Sequence, residues 1–77
     1  MREMTVEVTD TFGGEANYSW VRRDVVQIPG DASDLAIVRK AKSIAGYTNI
    51  RCQVTNYGDE IVIDPSKECV RIFVTFA

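Results

Sequence analysis

Two arginines stand side by side in NYSWVRRDVV, residues 17–26, directly after the single tryptophan of the chain. Tyr, Trp and Arg are the residue types that dominate protein interfaces, and a guanidinium pair can also read phosphate. Arg22 and Arg23 are therefore candidate partner-binding residues. The plainer reading makes Trp20 a core residue and pairs the arginines with neighbours such as Asp24. Adjacent strand residues point to opposite faces, so at most one arginine shares the core side unless a bulge intervenes.

A second set is acidic. Asp59, Glu60, Asp64 and Glu68 surround a short apolar run. They could mimic phosphate or bind an arginine-rich partner, and they could equally be turn residues that serve solubility. Calcium loops need a regular ladder of oxygen ligands with a glycine between them, and YGDEIVIDPSKE lacks that spacing. A third set, Arg39, Lys40 and Lys42, could touch nucleic-acid phosphates or form an ordinary solvated helix face. Nucleic-acid binders usually carry a basic balance over the whole domain, whereas the net charge here is −2.

Chemistry is limited by what the chain lacks. There is no histidine, which removes the commonest general base and the commonest transition-metal ligand. Cys52 and Cys69 alone fall short of a four-ligand zinc site. They read as small buried apolar residues, with a cross-strand disulfide open if their strands are neighbours. No catalytic, metal or cofactor motif is present, so the expectation is a protein that is not an enzyme.

The elements follow from periodicity. Residues 4–9 alternate Met4, Val6 and Val8 against Thr5, Glu7 and Thr9, the pattern of a half-buried strand. Gly13-Gly14 marks a turn, and Tyr18 to Ile28 makes a second strand, so the two form a hairpin. Neither face of that second strand is purely apolar. A bulge near Arg22-Arg23-Asp24 would repair the pattern, with Trp20 anchoring the core just before it; truncating a core Trp20 to alanine would cost about 3 to 5 kcal/mol.

PGDASDLAIVRKAKSIAGY predicts one helix. Asp31 or Ser33 can cap its start, and Gly46 fits the left-handed position after its end. Ile37, Val38, Ala41, Ile44 and Ala45 gather on one stripe, with the basic residues opposite. Three more strands follow: NIRCQVTNY, EIVID and CVRIFVTF. The order β-β-α-β-β-β predicts an α+β domain with a mostly antiparallel sheet and one helix packed on one face. At 77 residues it is one domain. The uncovered face is polar with one aromatic, Phe73, and is wet or used by a partner.

Charge is uneven along the chain. Residues 20–51 are basic and both flanking segments are acidic. Apolar residues make up 45% and charged residues 26%, a globular composition rather than a disordered one. No apolar run approaches the roughly 20 residues needed to span a bilayer, so no membrane partner is expected. Nothing in MREMTVEVTD reads as a signal peptide, which points to the cytoplasm.

GGEANYSWVRR, SDLAIVRKAKSIAGYTNIRC, NYGDEIVIDP and CVRIFVTF together resemble a group of short proteins encoded by phages and prophages. The resemblance covers most of the chain after residue 12. It implies a phage or mobile-element origin, hence the cytoplasm of a bacterial host, and carries over no residue roles. The function expected is a small binding protein that occupies a surface on a host or phage protein complex. An anti-defence inhibitor, such as an anti-CRISPR protein, is the sharpest form: its acidic segments could face the basic groove of a nucleic-acid-binding complex. Two alternatives stand beside it. One is a nucleic-acid-binding accessory or regulatory protein using residues 20–51. The other is a virion or assembly component acting as a homodimer or larger homo-oligomer through its open sheet face.

Overall fold

The alternation in residues 4–9 extends in both directions to make β1 (Arg2–Phe12), which turns at Gly13-Gly14 into β2 (Glu15–Ile28). In the computed structural model, which describes residues 1–77, the remaining elements are α1 (Asp34–Ala45), β3 (Cys52–Asn56), β4 (Glu60–Pro65) and β5 (Val70–Phe76). The expected α+β order is the observed one. All five strands form a single antiparallel sheet in the order β2-β1-β5-β4-β3.

The connection from β2 to β3 joins the two edges of the sheet, so the chain must cross a whole face, and α1 lies in that crossing. Ser33 caps the helix: its side chain accepts the amide proton of Ala36 at 3.2 Å. Gly46 ends the helix at φ 88°, a left-handed conformation that a side chain would strain. Ile37, Ala41 and Ala45, one turn apart, are the buried stripe. Asn56 on β3 donates to Asp34 at 3.0 Å and ties the helix start to the far edge.

Register gives the sheet two distinct sides. Met4, Val6 and Val8 lie in rows with Phe76, Val74 and Ile72, and those rows continue through Ile61 and Ile63 of β4. These residues face α1 and form the core; Met4, Val6, Ile63, Ile72 and Val74 are wholly shielded from solvent. Burying one such side chain contributes about 1.5 to 3 kcal/mol. The other side, carrying Thr5, Glu7, Phe73, Thr75, Glu60 and Asp64, has no covering element.

Three expectations are corrected. The pairing of β2 with β1 is uninterrupted from Val21 to Ile28, so no bulge lies at 22–24. The irregularity falls earlier: Thr9 pairs with Val21 while Thr11 pairs with Ala16, which leaves residues 17–20 looped out of the ladder. The face pattern at 22–24 fails for a simpler reason. β2 is an edge strand, and Arg22 and Asp24 reach past the rim of the core. Trp20 is not a core anchor; it belongs to the looped segment and is 46% exposed. Cys69 is exposed in the turn before β5, and only Cys52 packs against the core. β4 separates their strands, and both thiols are free.

Candidate functional site

The looped segment 17–20 is held by two adjacent residues of β1. The buried Thr9 hydroxyl accepts the Tyr18 amide proton at 3.1 Å and donates to the Trp20 carbonyl at 3.0 Å. The Asp10 carboxylate accepts from the Ser19 hydroxyl at 2.6 Å, the Ser19 amide at 2.9 Å and the Asn17 side chain at 2.9 Å. These bonds favour the ionised form, Ser19 hydroxyl first, and hold the Asp10 carboxyl down at about 2. The segment needs such fastening because Tyr18 sits at φ 57°, a left-handed conformation uncommon for a residue with a ring.

The consequence is positional. Tyr18 turns back over the open side of the sheet, and its ring stacks on Phe73 of β5 with centroids 6.5 Å apart and planes within 12°. Offset aromatic stacks of this size contribute about 0.5 to 1.5 kcal/mol beyond their burial. The pair forms a ridge with a shallow groove on either side. One groove, of about 390 Å³, lies over β3, β4 and β5 and includes Tyr57, Glu60, Asp64, Arg71 and Phe73. The other lies towards β1 and includes Thr5, Glu7, Tyr18, Glu60 and Thr75.

Most charges on this face are already matched. Arg23 donates through Nε and Nη2 to one oxygen of Glu7, at 2.9 and 2.6 Å. Arg71 donates through Nε to Asp64 at 2.6 Å and through Nη2 to the Gly14 carbonyl at 2.8 Å, which draws the hairpin tip towards β5. Glu60 is different. It lines both grooves, and its carboxylate makes no hydrogen bond or ion pair within the chain.

The residues singled out by sequence therefore disperse. Arg22 and Arg23 point to opposite sides. Arg22 lies on the helix side, where Nη2 donates to the Ile44 carbonyl in the last turn of α1 at 3.2 Å and Nε stands 3.8 Å from Asp24. A cation there also suits the negative end of the helix dipole. Of the four acidic candidates, Glu60 and Asp64 share the open face. Asp59 and Glu68 sit in the turns before and after β4, at opposite ends of that strand. The basic helix set splits too. Arg39 and Lys42 border one hollow with Thr48 and Asn49, while Lys40 borders another beside Gln27 and Ile28. No three carboxylate or thiol side chains converge in a group that could hold a metal ion.

Sequence reasoning placed Phe73 on the open side but missed Tyr18 as its partner. It also missed Thr9 and Asp10 as the clip, because nothing in the alternation of β1 separates them from solvated strand residues. Comparison with protein-family models, with curated proteins and with solved structures finds no match to this chain.

Proposed function

We propose that this chain is a small non-enzymatic binding protein whose contact surface is the open sheet face, and that this face takes a basic segment of a partner protein. The observation that carries the reading is Glu60: a carboxylate unmatched within the chain, set in both grooves beside the Tyr18–Phe73 ridge. An arginine or lysine laid in either groove gains an ion pair with Glu60 and a cation–π contact with an aromatic face. The neutral pairs Arg23–Glu7 and Arg71–Asp64 flank the site and disfavour an acidic partner less than they leave Glu60 to select a basic one. In the setting implied by the sequence resemblance, the partner is a host or phage protein complex with a basic groove, and the chain acts as an anti-defence, anti-CRISPR-like inhibitor.

The test is capture from bacterial host lysate with wild type, Glu60→Lys and Phe73→Ala. The reading expects one specific partner that elutes with salt, is lost with Glu60→Lys and is weakened with Phe73→Ala. Capture unaffected by Glu60→Lys, or no specific capture together with unimpaired phage restriction in cells expressing the chain, counts against it.

A second reading has one observation behind it. Arg39 and Lys42 border a common hollow with two polar neighbours, Thr48 and Asn49. Nucleic acid binding there would show as a mobility shift that weakens steeply with salt.

A further inference from the structure

The β2 strand forms one edge of the sheet, and it is long. It runs for 14 residues, where β3 at the opposite edge has 5. Proteins blunt exposed edges with short strands, charged side chains, proline or a bulge. Here the looped segment lies at the hairpin end, and the regular ladder from Val21 to Ile28 contains no proline. Its charges, Arg22, Arg23 and Asp24, carry both signs, so they can be matched by a second copy as well as repel a stray strand. One row of its backbone amides and carbonyls therefore faces outward without a partner strand. Apolar side chains stand along the same edge: Trp20, Val21 and Val25 are 46, 47 and 56% exposed.

We propose that this edge pairs antiparallel with the same edge of a second copy, about a two-fold axis passing at Arg23. The argument is self-complementarity, which an isologous contact requires. With Arg23 on the axis, Arg22 lies opposite Asp24 of the second copy, and Asp24 opposite its Arg22. Val21 meets Val25 of the second copy on the open side, and Val25 meets its Val21. Each match occurs twice by symmetry. Opposite charges and apolar pairs directly across a ladder are the favourable cross-strand combinations.

The two arginines on the axis do not spoil the register. Each is already held by Glu7 of its own chain at 2.6 Å, and Glu7 lies in the same row. The row across the axis is then Glu7–Arg23–Arg23–Glu7, neutral overall. Moving the axis by one residue towards either end loses these matches. At Arg22 it sets that arginine against itself and Val21 against Arg23. At Asp24 it sets two carboxylates against each other and Arg22 against Val26. The charges at 22 and 24, which interrupt the apolar pattern of the strand, thus select one register among several. The pairing produces a continuous ten-stranded sheet with both helices on one side. Both Glu60 faces stay open on the other, so the pairing does not depend on what they bind.

Charge reversal distinguishes the two-chain contact from any contact within one chain. Light scattering and sedimentation should give a concentration-dependent dimer for wild type. Arg22→Asp alone and Asp24→Arg alone should each weaken it roughly tenfold or more, since two attractions become two repulsions in each dimer. Mixing the two variants should restore association as a heterodimer, because each chain then offers the charges the other needs, although the pair within each chain stays broken. Val25→Lys should abolish the dimer and melt as wild type does at concentrations too low for either to dimerise, since Val25 is exposed in the single chain. A monomer at every concentration, a dimer indifferent to both reversals, or a mixture that fails to associate when both variants are folded by circular dichroism overturns the proposal. So does a dimer that survives Val25→Lys.

Discussion

Tyr18 belongs to the edge strand β2 and Phe73 to β5, with β1 between them, yet their rings stack 6.5 Å apart. A regular hairpin would not bring them together, because residues on non-adjacent strands are separated by roughly twice the 4.8 Å strand spacing. The looped segment 17–20 closes that gap, and the Thr9–Asp10 clip holds the loop. The exposed face is thus shaped by two polar side chains of β1, the inner strand of the hairpin.

Asp10 makes that clip pH-dependent. Its carboxyl titrates at about 2 in the folded protein instead of the ordinary 3.8. A depressed folded value means the ionised group favours the folded state above pH 3.8, and that contribution fades as pH falls towards about 2. Asp10→Ala should therefore melt lower than wild type at neutral pH, with the two melting temperatures converging across this acid window. A gap that stayed constant from neutral pH to pH 2 would show that Asp10 does not act through its charge.

Thr9→Val tests the other half of the clip. Valine keeps the shape of the buried Thr9 but leaves the part-buried Tyr18 amide without its acceptor and the Trp20 carbonyl without its donor. Stability should fall by about 1 to 2 kcal/mol in denaturant melts, the loss of two part-buried hydrogen bonds. Tyrosine fluorescence is expected to change with it, as Tyr18 loosens from Phe73.

The core and the tryptophan should separate cleanly in a melting series. Ile72 is wholly buried, and Ile72→Ala is expected to cost about 2 to 5 kcal/mol, a large share of the stability of so small a domain. Trp20 is 46% exposed, and Trp20→Ala should cost only about 1 to 2 kcal/mol. Equal losses for the two variants would return Trp20 to the core.

That contrast also marks how much of the structure was legible beforehand. The alternation of Met4, Val6 and Val8, the same pattern from Val70 to Phe76, and the signals at Ser33 and Gly46 are local, and local geometry followed them. Trp20 misled because residue type outweighed position: nothing before folding says that β2 lies at an edge. The loop at 17–20 was hidden because Tyr18-Ser19-Trp20 reads as the start of a strand, and only Thr9 and Asp10 on the neighbouring strand make another path favourable. The acidic residues around β4 looked like a cluster because they are close in sequence. An extended strand then carried Asp59 and Glu68 to opposite ends, and pleating set Glu60 on one side. Glu60 stood out only once Arg23 and Arg71 were seen to satisfy its neighbours.

The place of β1 between β2 and β5 governs the order in which the sheet can be completed. Its first partner is the next strand in the chain, and such a hairpin forms in microseconds. Its second partner, Val70–Phe76, is made after the other four strands, so Met4 must find Phe76 across 71 intervening residues. During synthesis the inner edge of β1 stays bare, while the helix and the β3–β4 pair emerge without a floor to rest on. The sheet therefore zips shut at its middle, not at its rim. The rate of that last closure, a contact of large sequence separation, sets how long the nascent chain remains open to wrong partners.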